Sequence, residues 1–123
     1  MSKNLTSGTG PSLDGTGRRI VLVCARFNDL IVDSLEHGAR TALLKAGVAE
    51  GDIVSIKVPG ALEIPIAMQA ALATNTFDAA IALGVVLRGD TYHSEVVSNE
   101  SSAGVMRVGL DSGRVVTNGI LTV

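Results

Sequence analysis

The chain has 123 residues, 46% of them apolar, and a formal charge of −2 from ten basic and twelve acidic side chains. That length suits a single domain with one substantial core. The balanced charge excludes the basic footprint of a nucleic-acid binder, and no apolar run reaches the 18 or so residues of a membrane span. The apolar residues are mostly Val, Leu, Ile and Ala, with two Phe, one Tyr and no Trp. Aliphatic richness of this kind suits buried parallel strands covered by helices on both faces.

Residues 1–17 are rich in Gly, Ser and Thr and hold few apolar side chains. They cannot repay the entropy of ordering and are expected to form a flexible arm. Gly15 and Gly17 sit at a spacing reminiscent of a phosphate loop, but no strand precedes them, so that motif is rejected. The N-terminus has no basic-then-apolar signal pattern, and a cytoplasmic protein is expected.

Ile20-Val-Leu-Val-Cys-Ala25 is a short, fully apolar strand. Its Cys24 is the single cysteine; with no His near it in sequence, it reads as a buried structural thiol. Asn28 is positioned as an N-cap with Asp29 in the first turn. Ile31, Leu35, Ala39, Ala42, Leu43 and Ala46 then mark a helical stripe closed by Lys45 and Gly47. His37 falls between stripe positions and is expected in solvent.

Ile53–Val58 is a second strand, whose alternating Ser55 and Lys57 suggest a more exposed or edge position. Pro59 to Glu63 is a turn, and Pro65 suits the first turn of a helix reaching Ala73. Ala79–Leu87 is a third strand. A helix over roughly 91–110 follows, with Val96, Val97, Ala103, Val105 and Val108 as candidate buried positions. Val115–Val123 is a fourth strand.

This βα-βα-βα-β order predicts an α/β fold, an open four-stranded parallel sheet with right-handed crossovers. Ligands of such sheets bind beyond the carboxyl ends of the strands. Three polar turns fall there: Arg26-Phe27-Asn28, Pro59 to Glu63, and Arg88-Gly89-Asp90-Thr91-Tyr92-His93. The third combines a fixed cation, a glycine, a carboxylate and a hydroxyl at the expected start of a helix, where anions are bound. Phe27 is either a core residue or a stacking platform for a planar heterocycle. Glu63 either answers a helix dipole or accepts hydrogen bonds from substrate hydroxyls. Arg88 either pairs with Asp90 or binds an anion. His93 alone would read as a solvated helix residue; beside an anion site and an aromatic platform it reads as a proton-transfer group.

From Arg19 to Thr122 the sequence resembles the 6,7-dimethyl-8-ribityllumazine synthases. The resemblance is carried by ARFN (25–28), VPGALEIP (58–65), GVVLRGDTYH (84–93), VSNESSAG (97–104) and NGILT (118–122). It implies a flavodoxin-like three-layer fold over residues 18–123 and an enzyme of riboflavin biosynthesis using no metal and no organic cofactor. By similarity, Phe27 stacks on a pyrimidine with Asn28 beside it. Ala61, Leu62 and Glu63 line the ribityl chain, and Val86 and Leu87 contact the pyrimidine through their backbone. Gly89, Asp90 and Thr91 hold phosphate, Arg88 supports that loop, and His93 moves protons. The resemblance further implies a homopentamer, in some members a decamer or a sixty-subunit shell, with Asn118 completing a neighbour's site. Some relatives carry an aromatic residue in place of Asn118. Family members also continue past Val123 through a Thr-Glu turn and about two helices, so a domain lacking those helices is expected. The competing readings are a non-catalytic shell subunit and a flavodoxin-type flavin module, the latter disfavoured by the single Tyr and absent Trp.

Overall fold

The computed structural model describes residues 13–123, so residues 1–12 of the expected arm lie outside it. In residues 13–17, the Asp14 carboxylate accepts the Thr16 amide at 3.0 Å. The Gly15 N–H reaches the Ala46 carbonyl at 2.7 Å.

The elements run β1 (Ile20–Ala25), α1 (Asp29–Lys45), β2 (Ile53–Val58), α2 (Ile64–Ala73), β3 (Ala79–Val86), α3 (His93–Ser112) and β4 (Val115–Thr122), with single 3₁₀ turns at Glu50–Asp52 and Ala61–Glu63. The four strands form one parallel sheet in the order β2-β1-β3-β4. Both expectations for the sheet, its parallel sense and the edge position of β2, are met. Among the described residues no helix is long and apolar enough to cross a membrane.

Strand alternation divides the core into two. On one face Leu22, Cys24, Leu83 and Val85 pack under α1; on the other Val21, Val23, Ala25, Ala80 and Ala82 meet α2 and α3 through Met68, Leu72, Val105 and Val108. β1 is therefore buried on both sides, which is why all six of its residues are apolar.

Two helical faces differ from the sequence expectation. In α1 the fully buried residue is Val32, with Leu35, Ala39 and Leu43 against the core, while Ile31 and Ala42 are exposed. Leu35, Ala39 and Leu43 of the expected stripe are thus covered, and the covered face turns toward Val32, Glu36 and Arg40 instead of Ile31 and Ala42. In α3, Val96 and Ala103 are exposed, and the buried line runs through Ser101, Val105 and Val108. Ser101 is wholly buried and donates to the Ser98 carbonyl at 3.3 Å.

Glu36 and Arg40 explain the polar residues of β2. Ser55 and Lys57 pair in register with Leu22 and Cys24 and so face α1. Ser55 Oγ donates to Glu36 Oε2 (2.5 Å) and accepts from Arg40 Nη2 (2.7 Å). Lys57 Nζ lies 2.6 Å from Glu36 Oε1 and 3.6 Å from Asp33 Oδ1. Arg40 also donates to the Ile53 carbonyl at 3.3 Å. Partial burial by itself would raise the Glu36 carboxyl. Hydrogen bonds from Lys57 and Ser55, with the charges of Lys57 and Arg40, outweigh that and hold it below the ordinary carboxylate value. The hydrogen bond to Glu36 raises Lys57 in turn, against the desolvation that would lower it.

A carboxylate depressed in the folded state stabilises above its unfolded pKa, and that stability is lost as pH falls through the folded value. Glu36→Gln is therefore expected to cost about 1–2 kcal/mol at neutral pH. The wild-type and mutant melting temperatures should converge as acid protonates Glu36. Thermal melts between pH 3 and 7 check this; a gap that persists unchanged into acid would refute the account.

Candidate active site

The turn after β1 is tied to the turn after β2 by main-chain hydrogen bonds, Arg26 N–H to Val58 O (2.7 Å) and Phe27 N–H to Pro59 O (3.2 Å). Asn28 takes a left-handed conformation, φ 62° and ψ 53°, which Asn tolerates better than most residues. It occupies the N-cap position of α1, and its carbonyl accepts the Ile31 and Val32 amides at 3.1 Å. Its side chain makes no capping hydrogen bond. The side-chain half of the capping expectation therefore fails, because the left-handed backbone of Asn28 is not the extended one in which a cap side chain meets the first amides.

This strained step leaves Phe27 54% exposed, so the core-packing alternative does not hold for it. In the second turn the backbone of Gly60 is extended and its N–H donates to Glu63 Oε1 at 2.8 Å. The Glu63 carboxylate thus organises its own loop, with remaining lone pairs for a ligand. Ala61 is buried beneath that loop and Leu62 is half-exposed.

The third wall comes from β3. Val85 and Val86 are buried, Leu87 is exposed, and the turn from Arg88 to Tyr92 stands in solvent. The turn is anchored at its start by the Arg88 N–H to Val123 O bond (2.8 Å), and at its end the Thr91 hydroxyl accepts the His93 amide at 3.4 Å. A side chain at Gly89 would meet nothing within 4 Å; what glycine contributes there is an uncovered backbone open to a ligand. Among the described residues Arg88 forms no ion pair, so pairing with Asp90 is not realised.

These turns enclose one open cleft of about 530 Å³. It sits where the strand order reverses between β1 and β3, the position such sheets use for ligands. Of the residues singled out in the sequence, Phe27, Ala61, Leu62, Glu63, Val86, Leu87, Gly89, Thr91 and His93 line it. Asn28, Arg88 and Asp90 flank the lining in the same turns without forming it.

Asn118 lies elsewhere. Its Oδ1 accepts the Ile120 amide (2.8 Å), its Nδ2 reaches Ser102 Oγ (3.3 Å), and it borders a separate depression between α3 and β4. Val85 and Ser94 also line the cleft without having been singled out, as do Pro59 and Gly60 of the expected turn and Val97, which was expected in the core. Val97 had a signal, since it stands four positions after His93 on the same helix, whereas Ser94 next to it had none.

The cleft is mostly apolar, with a carboxylate on one side and an amide-rich, hydroxyl-bearing turn beside an imidazole on the other. That arrangement can hold a flat heterocycle next to an anion and move protons between them. Cys24 plays no part there: it is fully buried under α1, and burial first, then the Glu36 charge, push its thiol up to about 11. Among the described residues no group of three His, Cys, Asp or Glu is placed to hold a metal ion.

Residues 17–123 match the family model described as 6,7-dimethyl-8-ribityllumazine synthase. The chain is 52% identical over 112 residues to the protein of that name from Cupriavidus metallidurans, covering 91% of this chain and 66% of the relative. Identity is 50% over 111 residues to the one from Ralstonia pickettii, covering 90% and 67%. It is 50% over 115 residues to the one from Paracidovorax citrulli, covering 94% and 75%. The chain thus spans about two thirds of the length of the first two relatives.

Proposed function

Because the chain belongs to the 6,7-dimethyl-8-ribityllumazine synthase family, we propose that it serves riboflavin biosynthesis in the cytoplasm as that transferase. The reaction condenses 5-amino-6-(D-ribitylamino)uracil with 3,4-dihydroxy-2-butanone 4-phosphate. The amine adds to the ketone and water leaves to give an imine; phosphate is then eliminated, and ring closure with loss of a second water gives the lumazine.

The observation that carries this reading is the convergence of an aromatic wall, an acidic loop and an anion turn with His93 in one cleft. Phe27 stacks on the pyrimidine, with Asn28 beside it and the Val86 and Leu87 backbone along its edge. Glu63, with Ala61 and Leu62, takes the ribityl hydroxyls. Gly89, Asp90 and Thr91 hold the phosphate, Arg88 supplies a cation beside it, and His93 carries protons between the amine, the leaving phosphate and the departing water. Holding two substrates in register supplies much of the acceleration, and an imidazole can both give and take protons.

The working form is a homo-oligomer built on pentamers, the unit from which decamers or sixty-subunit shells are stacked, in which Asn118 completes a neighbour's cleft. That placement accounts for Asn118 lying away from the cleft of its own chain. Mixing the full-length protein with both substrates should produce lumazine fluorescence faster than the uncatalysed condensation. Large homogeneous particles with only the background rate would replace the enzyme reading by a non-catalytic shell.

A further inference from the structure

The network between α1 and β2 lies outside the cleft, yet it sits on the two segments that form the cleft's first two walls. Lys57 is two residues before Pro59, which lines the cleft, and Asp33 is little more than one helical turn beyond Asn28. The Lys57 ammonium bridges Asp33 (3.6 Å) and Glu36 (2.6 Å). The chain therefore closes a ring. It runs from the end of β1 through Arg26, Phe27 and Asn28 into α1, across Asp33 and Glu36 to Lys57, and along β2 to Val58 and Pro59. From there the two main-chain hydrogen bonds return to Arg26 and Phe27. Arg40, through Ser55 and the Ile53 carbonyl, braces the same helix to the upstream half of β2. Cys24, the register partner of Lys57, lies beneath.

Fold maintenance alone does not call for charges here. Among the described residues the other helices meet the sheet through apolar clusters and, between α3 and β4, uncharged hydrogen bonds of Asn118 with Ser102 and of Thr122 with Ser98; an edge strand covered by a helix does not need charged residues. What charged groups add is direction, since a lysine shared by two carboxylates fixes where the helix lies along the strand, whereas an aliphatic contact tolerates sliding. Phe27 has few packing contacts of its own to hold it, being 54% exposed, so its position is inherited from this ring.

From this geometry we infer that Lys57, with Asp33 and Glu36, is a positioning residue for the cleft: it sets the spacing between the Phe27 wall and the Pro59–Glu63 wall, and thereby the affinity for the planar substrate. The substrate half of this inference rests on the reading under Proposed function; the mechanical half does not. A wall set before substrate arrives contributes equally to ground and transition states, so its loss appears in KM and not in kcat.

The test uses the full-length protein and three variants, Lys57→Met, Lys57→Arg and Arg114→Gln. Lys57→Met keeps the apolar stem and removes the bridge; Lys57→Arg restores a cation that can span both carboxylates. Arg114 bonds the Phe77 carbonyl and Asn75 at the opposite end of the sheet and serves as a control for general loss of stability. Lys57→Met should raise KM for the ribitylaminouracil about fivefold to tenfold. Its kcat and the KM for the butanone phosphate should stay within about twofold. Lys57→Arg should recover most of the loss, and Arg114→Gln, matched for melting temperature, should leave both KM values unchanged. Hydrogen exchange gives a readout free of turnover: the Arg26 and Phe27 amides should exchange about tenfold faster in Lys57→Met, while the Gly113 amide, which caps the end of α3 on the Gly109 carbonyl, does not change.

Unchanged exchange at Arg26 and Phe27 would overturn the clamp whatever the enzyme does. Faster exchange with an unchanged KM for the pyrimidine would overturn its role in binding. A wild-type protein without turnover would remove the substrate half, and exchange would still decide the mechanical half.

Discussion

Arg88→Ala is expected to lower kcat/KM about a hundredfold, the size of one lost charge-assisted contact to a phosphate, about 2–3 kcal/mol. Arg88 stands at the start of the turn whose Gly89 and Thr91 line the cleft, and among the described residues no carboxylate neutralises it. Its main chain is already engaged by Val123, so truncating the side chain should leave the turn in place. In the proposed reaction phosphate is both bound and expelled, so the loss should fall on kcat as well as on KM for the butanone phosphate, with the pyrimidine KM little altered. Arg88→Lys should recover only part, since an ammonium lacks the planar two-donor fork. His93→Ala is expected to lose less, about tenfold, because the imidazole is solvent-exposed and water can take over some proton transfers. Steady-state kinetics with each substrate varied in turn checks both. A pyrimidine-only effect of Arg88→Ala would contradict the assignment of the turn to phosphate.

The same substitution, Gly→Ala, is expected to act in opposite directions in two helices. At Gly104 in α3 an added Cβ would lie 2.6 Å from Cγ and 2.8 Å from Cβ of Pro65, a rigid ring that cannot swing aside. The helix-propensity gain of about 1 kcal/mol is smaller than the cost of pushing α3 off α2, typically 1–3 kcal/mol for an overpacked contact and near the upper end here. A net loss of about 2 kcal/mol should result, and with it some loss of cleft geometry, since α2 and α3 both lead into the cleft walls. At Gly38 in α1 nothing stands within 4 Å, so alanine should stabilise by about 0.5–1 kcal/mol. Denaturant titrations of the two variants measure the difference; a stabilised Gly104→Ala would show that the helices can part at little cost.

Much of the scaffold was legible because it depends on local pattern. Ile20–Ala25 reads as a strand from its unbroken apolar run, which its place inside the sheet then explains, and β2 reads as an edge since Ser55 and Lys57 alternate with its apolar residues. The clustering of Phe27, Glu63, Thr91 and His93 followed from topology: a parallel sheet puts all its strand-to-helix turns at one edge. The phases of α1 and α3 were legible only in part: Leu35, Ala39, Leu43, Val105 and Val108 were assigned rightly. Counting apolar residues assigned Ile31 and Val96 to the core, whereas the faces that pack carry Glu36, Arg40 and Ser101, polar residues whose partners lie on other elements.

The sequence by itself determined the strand and helix order, the parallel sheet, the edge at which the candidate cleft lies and the membership in a family. All of these rest on periodicity, turn chemistry and short motifs that read along the chain. Only the tertiary structure decided that Phe27 is exposed in the cleft and that Glu63 holds the Gly60 amide. It also placed Asn118 away from its own chain's cleft, and it made Lys57 the bridge of a closed ring. Each of those is a relation between side chains and segments whose separation is set by packing, and packing is decided by the whole core at once.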